Sequence, residues 1–83
     1  MNRSEVERKF KQIVADIFRK DVSKLKGTTE FVKDLNAKSI DIAALIAATE
    51  SEFGIRTTSA ETRKNKNINL TIAYIMKKMK GKK

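Results

Sequence analysis

The sequence predicts an all-α domain: a small four-helix bundle with a long loop between helices one and two and a short third helix. Three observations carry that reading. Apolar residues recur at i, i+3, i+4 and i+7 in three separate stretches, the period of a helix with one buried face. No β-type alternation competes with them, and the absence of proline leaves each stretch unbroken. The length of 83 residues suits a single domain with a modest core.

The first helix is expected over about residues 4–20. Ser4 with Glu7 three positions on has the form of a capping box, and Val6, Phe10, Ile13, Val14, Ile17 and Phe18 follow at helical spacing. Arg19 and Lys20 fall where cations complement the negative end of the helix dipole. Residues 21–38 show no sustained period and contain Gly27, Thr28 and Thr29, so they read as a loop pinned by Val22, Leu25, Phe31, Val32 and Leu35. A loop of that length in a small domain is functional or well packed, and this one delivers the chain to Ser39.

Ser39 directly precedes an apolar run, the position of a helix N-cap. The second helix runs over residues 39–53 and is apolar on more than one side. Ile42, Leu45, Ile46, Thr49 and Phe53 form a stripe suited to the core, while Ile40, Ala43, Ala44 and Ala47 form a shallower one. In so small a bundle, a helix apolar nearly all round is expected to show a face to a partner; close helix packing by the alanines is the alternative. Gly54 suits the position just past the helix end. Ser59 is expected to cap a short third helix through Glu61, Thr62 and Arg63. Asn67 then caps the last helix, with Ile68, Ile72, Ile75 and Met79 on one face and Leu70, Tyr74 and Met76 beside it. Residues 77–83 are expected to fray, giving a domain over residues 1–76 and a basic C-terminal tail over 77–83.

Composition narrows the function. Without cysteine the chain has no disulfides or thiolate ligands, and without histidine it lacks the usual general base and the commonest metal ligand. No metal site and no catalytic residue are therefore expected. No secretory segment is legible and no apolar run approaches the ~20 residues of a membrane span, which makes the cytoplasm the expected address; a monomer is the expected state. The formal net charge of +9 is unevenly spread. Residues 77–83 hold five lysines, whereas residues 39–55 contain Asp41, Glu50 and Glu52 and no basic residue.

The stretch Asp34-Leu35-Asn36-Ala37-Lys38-Ser39-Ile40-Asp41 resembles the acyl carrier protein signature. The likeness continues through Phe31-Val32, Glu50-Ser51-Glu52-Phe53 and Ile72-Ala73-Tyr74-Ile75, and covers about residues 4–76. It implies a carrier that catalyses nothing. Ser39 would bear phosphopantetheine through a phosphodiester at a helix start, where free N–H groups and the helix dipole favour an anion. The thiol would come with the cofactor, which reconciles thioester chemistry with a chain that has no cysteine. A phosphopantetheinyl transferase and acyl-transferring or synthase enzymes are the implied partners, docking on Lys38, Ile40, Asp41, Ala43, Ala47 and Glu50. Phe31, Ile46, Thr49, Thr62 and Asn65 fall at acyl-sheltering positions. The implied setting is a specialised fatty acid, lipid or polyketide pathway.

Departures from the family pattern are specific. Family members are generally acidic. Asn36 replaces the usual glycine, a mild change because asparagine tolerates the left-handed conformation. Lys38 stands where aspartate usually helps engage the transferase, and Ala44 and Ser51 stand where acids are common. Thr49, Thr57, Thr62 and Asn65 replace common apolar residues, which implies a short or polar load, or one held outside the domain, and a third helix loosened at Asn65. Thr57 and Thr62, in an irregular segment, have solvent exposure as their plainer expectation.

Three other functions compete. A basic nucleic-acid-binding module would use the charge, but the helix expected to be presented is acidic and no basic recognition helix is legible. A carrier fold that is never modified is compatible with Lys38. An enzyme pairing Ser39 with Lys38 fails on geometry, since adjacent side chains at a helix start diverge.

Overall fold

In the computed structural model, which describes residues 1–81, four helices follow one another: α1 (Arg3–Phe18), α2 (Ser39–Phe53), α3 (Ser59–Lys64) and α4 (Ile68–Gly81). A single 3₁₀ turn at Val22–Lys24 interrupts the long connection between α1 and α2. Lys82 and Lys83, the end of the expected tail, lie outside the described residues.

The core is built where α1, α2 and α4 meet. Val6, Phe10 and Val14 of α1, Leu45 of α2 and Ile68, Ile72 and Ile75 of α4 are buried essentially completely. These are the positions that the helical period selects. Phe31, from the long connection, closes the same core by meeting Phe10 edge to face, with ring centroids 6.1 Å apart. The all-α expectation holds among the described residues, where the only β-type pairing is an isolated antiparallel bridge between Glu30 and Asn67.

That bridge explains how a long loop stays ordered. The Phe31 N–H donates to the Lys66 carbonyl at 3.1 Å, and the Ile68 N–H donates to the Thr29 carbonyl at 3.1 Å. The Asn69 N–H donates to the Gly27 carbonyl at 2.9 Å. A Cβ on Gly27 would displace the exposed side-chain amide of Asn69, which rests over the glycine at this approach. Asn36 takes φ = 54°, the left-handed conformation that its side chain tolerates. Leu25 and Phe31 are buried as expected and Leu35 packs against the core, but Val22 and Val32 are 38% and 57% exposed. Backbone stitching to the start of α4 fixes the loop and leaves those two valines outside.

Helix ends correct the sequence reading in several places. Asn2, not Ser4, caps α1: its Oδ1 accepts the Glu5 N–H at 2.9 Å, and the Glu5 carboxylate reaches back toward the Asn2 N–H at 3.4 Å. Arg19 and Lys20 lie past the last turn, because Arg19 adopts the left-handed conformation (φ 55°, ψ 48°) and ends the helix. Thr58, not Ser59, caps α3, its Oγ1 accepting the Glu61 N–H at 3.1 Å. Asn67 caps α4 as expected, accepting the Leu70 N–H at 2.8 Å. Leu70 is 44% exposed. The residues from Lys77 to Gly81 are helical rather than frayed: lysine is a good helix former, and cations in the last turn oppose the negative end of the dipole.

Candidate functional site

The long connection delivers the chain to the start of α2 through an extended Lys38 (φ −105°, ψ 173°), which is the N-cap. Ser39 is therefore the first helical residue rather than the cap. A lysine side chain cannot accept a hydrogen bond, so the cap is made from the other direction, with the Lys38 N–H donating to Asp41 Oδ2 at 2.9 Å. Two consequences follow. The Ser39 hydroxyl is left exposed and is not used by the helix start. Among the described residues, the N–H groups of Ser39, Ile40 and Asp41 have no backbone or side-chain acceptor; the first hydrogen bond of the helix is that of the Ile42 N–H to the Lys38 carbonyl, at 3.0 Å. An exposed hydroxyl beside three unpaired donors and an exposed lysine is a suitable attachment point for a phosphodiester.

The two faces of α2 separate as the period requires. Ile42, Leu45, Thr49 and Phe53 are buried, and Ile46 is half-buried rather than fully in the core. Ile40, Ala43, Ala44 and Ala47 are all exposed, Ile40 by 76%. Burial by close helix packing, the alternative for the alanines, does not occur.

The acids of α2 are engaged within the chain, which sequence reading did not foresee. Asp41 completes the cap. Glu50 accepts the Thr57 N–H at 2.9 Å and holds the α2–α3 connection against the end of its own helix. Glu52 pairs with Lys9 of α1 at 3.1 Å.

Between α2, α3 and α4 lies a cavity of about 10 Å³. One water needs roughly 10–15 Å³, so an acyl chain enters only by parting the walls. Its aliphatic side is Leu45, Ile46 and Ile75; its polar side is Thr49, Thr57, Thr62, Thr71 and Tyr74. Of the residues expected to shelter an acyl group, Ile46, Thr49 and Thr62 meet here, whereas Phe31 lies in the main core against Phe10. Asn65 lines a separate open groove, where its side-chain amide donates to the Glu61 carbonyl at 3.0 Å and fastens the end of α3. Thr62 is buried, not solvent-exposed, with its hydroxyl donating to the Thr58 carbonyl at 2.9 Å. Thr71 and Tyr74 were missed at this wall. The signal for Thr71 was present, since it lies between Ile68, Ile72 and Ile75 on the buried face of α4.

The chain's likeness to known proteins falls on the same region. A family model described as the phosphopantetheine attachment site matches residues 8–75. An acyl carrier protein of Thermosynechococcus vestitus is 39% identical over 79 residues, 95% of this chain and 98% of that protein. One from Buchnera aphidicola is 36% identical over 77 residues, covering 93% of this chain and 98% of the relative. One from Lactobacillus acidophilus is 35% identical over 75 residues, 90% and 94% of the two chains. With a family model spanning most of its length and relatives above 30% identity along nearly all of it, this chain belongs to the acyl carrier protein family, whose members carry acyl groups on phosphopantetheine and are not enzymes.

Proposed function

We propose that Ser39 is the attachment serine and that the exposed face of α2 is where a phosphopantetheinyl transferase and the acyl-handling enzymes dock. The observation that carries this reading is the start of α2, where an exposed hydroxyl stands beside three unpaired N–H donors. Those donors and Lys38 would hold the phosphate; the cofactor, when attached, supplies the thiol on which acyl groups ride as thioesters. Ile40, Ala43 and Ala47 offer an apolar contact surface, with Lys38 at its edge and Asp41 and Glu50 within it.

The load is short or polar, or rides outside the domain, in a specialised fatty acid, lipid or polyketide pathway. A buried methylene contributes ~0.8 kcal/mol, whereas a buried hydroxyl without a partner costs roughly 1–3 kcal/mol. On the polar wall Thr62 and Thr71 already hydrogen-bond to backbone carbonyls, so the cost of meeting an alkyl chain falls on the Thr49, Thr57 and Tyr74 hydroxyls and offsets part of what a long chain would gain between the helices.

Intact-mass measurement after coexpression with several phosphopantetheinyl transferases tests the assignment. The wild-type chain gains the mass of phosphopantetheine and Ser39→Ala does not. An adduct that persists in the variant, or that no transferase installs, refutes it. For the load, acyl groups of increasing length are attached to the modified protein and thermal stability is followed. A melting temperature that climbs steadily through medium-length chains refutes a polar chamber.

A further inference from the structure

The most basic part of the surface is not the start of α2 but the opposite end of the bundle. Residues 54–81 contain seven basic residues and one acidic residue, Glu61. Four of those cations, Arg56, Lys64, Lys77 and Lys78, come from three different elements and line one open groove of about 1270 Å³ between the α2–α3 connection, α3 and α4. Among the described residues none of the four makes an ion pair; Lys78 is placed over the ring of Tyr74, 5.8 Å from its centroid.

Local helix electrostatics accounts for part of this. Lys64 lies in the last turn of α3 and Lys78 in that of α4, where cations oppose the dipole. It does not account for Arg56, which is in the connection, nor for convergence on one groove. Like charges gathered around a concavity repel one another, and an anionic occupant relieves that repulsion while gaining from the focused field.

We propose that this groove is a docking site for an acidic polypeptide segment of a partner protein, one that carries apolar side chains between its carboxylates. Three features favour a polypeptide. The floor includes Ile55, Ala73 and Tyr74, which fit side chains rather than a phosphodiester chain. Glu50 and Glu61 stand in the wall, where they would repel an unbroken row of phosphates but accept N–H groups from a peptide. The site is also concave, whereas a bilayer presents a flat anionic plane. The groove shares only Glu50 with the proposed docking face of α2, and none of its four cations lies on that face. Thr57 lines both the groove and the small α2–α3–α4 cavity, so a segment seated here braces the connection that covers the cavity.

The full-length chain is titrated with a fluorescein-labelled peptide of alternating glutamate and leucine blocks, followed by anisotropy and by amide chemical-shift mapping. Parallel titrations use oligothymidylate and vesicles containing phosphatidylglycerol. A double variant, Lys77→Glu with Lys78→Glu, is compared with Lys20→Glu with Lys33→Glu, which changes net charge equally at exposed cations elsewhere. The proposal expects shifts confined to Glu50 and residues 54–66 and 73–81. It also expects a loss of at least about tenfold in affinity for the groove variant and less than about twofold for the control, because specific contacts rather than net charge set the binding. Equal losses in the two variants, or shifts spread over the surface, overturn it in favour of nonspecific charge attraction. Tighter binding of oligothymidylate or vesicles at the same residues overturns the choice of a polypeptide. Concentration-dependent self-association with the same shifts, in the absence of peptide, overturns the partner in favour of a second copy of this chain.

Discussion

Thr49 and Thr71 face the same small cavity, and isosteric replacement by valine should move stability in opposite directions. Thr71 is 7% exposed and its hydroxyl lies 3.0 Å from both the Asn65 and the Asn67 carbonyls, so it fastens the α3–α4 connection. Thr71→Val keeps the shape but removes the donor: the Asn65 carbonyl loses its partner, whereas the Asn67 carbonyl keeps the Thr71 N–H at 3.1 Å. The net loss of one hydrogen bond is ~0.5–1.5 kcal/mol and an unsatisfied buried acceptor adds to it, giving roughly 1–2 kcal/mol. Thr49 is 4% exposed, and its hydroxyl makes no hydrogen bond to another described residue. The hydroxyl keeps some solvent contact rather than being a buried unpaired group, so Thr49→Val exchanges it for a methyl in largely apolar surroundings and is expected to stabilise by at most about 1 kcal/mol. In a domain of this size 1 kcal/mol corresponds to roughly 4–8 °C in melting temperature, so calorimetry or thermal circular dichroism resolves both changes. If Thr49→Val destabilises as much as Thr71→Val, the Thr49 hydroxyl has a partner and the argument for a polar chamber loses its main support.

Asn2→Ala should cost about 1 kcal/mol in thermal unfolding whereas Ser4→Ala should cost little, because only Asn2 supplies the cap of α1; the reverse order would place the cap at Ser4. Lys38→Asp should speed modification by a generic fatty-acid-type transferase, with an effect that fades as salt is raised, since exposed charges are screened beyond ~8 Å at physiological ionic strength. Equal rates at low salt would remove Lys38 from transferase recognition. Hydrogen bonds from the Ser23 N–H and then its hydroxyl hold the exposed Asp21 carboxyl below the usual carboxylate range. Its bonds to the turn are thus intact at neutral pH and weaken as pH falls through that lowered value; a carboxyl carbon titration centred at or above the ordinary aspartate value contradicts this. On the docking side, Ile40→Ala should lower the transferase kcat/KM about tenfold while Glu52→Gln changes it less than about threefold; a larger effect at Glu52 would point to charge-led docking.

The bounds of α2 and the Asn67 cap of α4 were legible because a strong apolar period meets an unambiguous stop or start there. The cap residues of α1, α2 and α3 were misplaced because several neighbouring polar residues satisfy the same composition rule. Asn2 and Ser4, Lys38 and Ser39, and Thr58 and Ser59 are separated only by which residue is extended at the helix start. Lys38 is the instructive case, since its own side chain cannot cap. The helix begins after it because Asp41 returns an acceptor to its N–H. Engagement of Glu50 and Glu52 was not legible at all, because Thr57 and Lys9 reach them through tertiary geometry. The residues around Ser39 were readable as a motif, while the chamber wall at Thr71 and Tyr74 needed the packing of α4 against α2.

The engagement of those acids changes what α2 presents. Asp41 and Glu50 keep their charges but each commits an oxygen to a backbone N–H, and Glu52 is paired with Lys9, so one of the three charges of the acidic island read from the sequence is offset in the folded chain. What remains exposed along the face is Ser39, Ile40, Ala43, Ala44 and Ala47, with Lys38 at the edge. An exposed ion pair contributes at most ~1 kcal/mol, and covering a large aliphatic side chain contributes ~1.5–3 kcal/mol. On the proposed docking surface the apolar term therefore outweighs the electrostatic one. The partner that fits this carrier has a pocket for Ile40 and a carboxylate near Lys38, rather than the broad basic patch that would suit an acidic carrier.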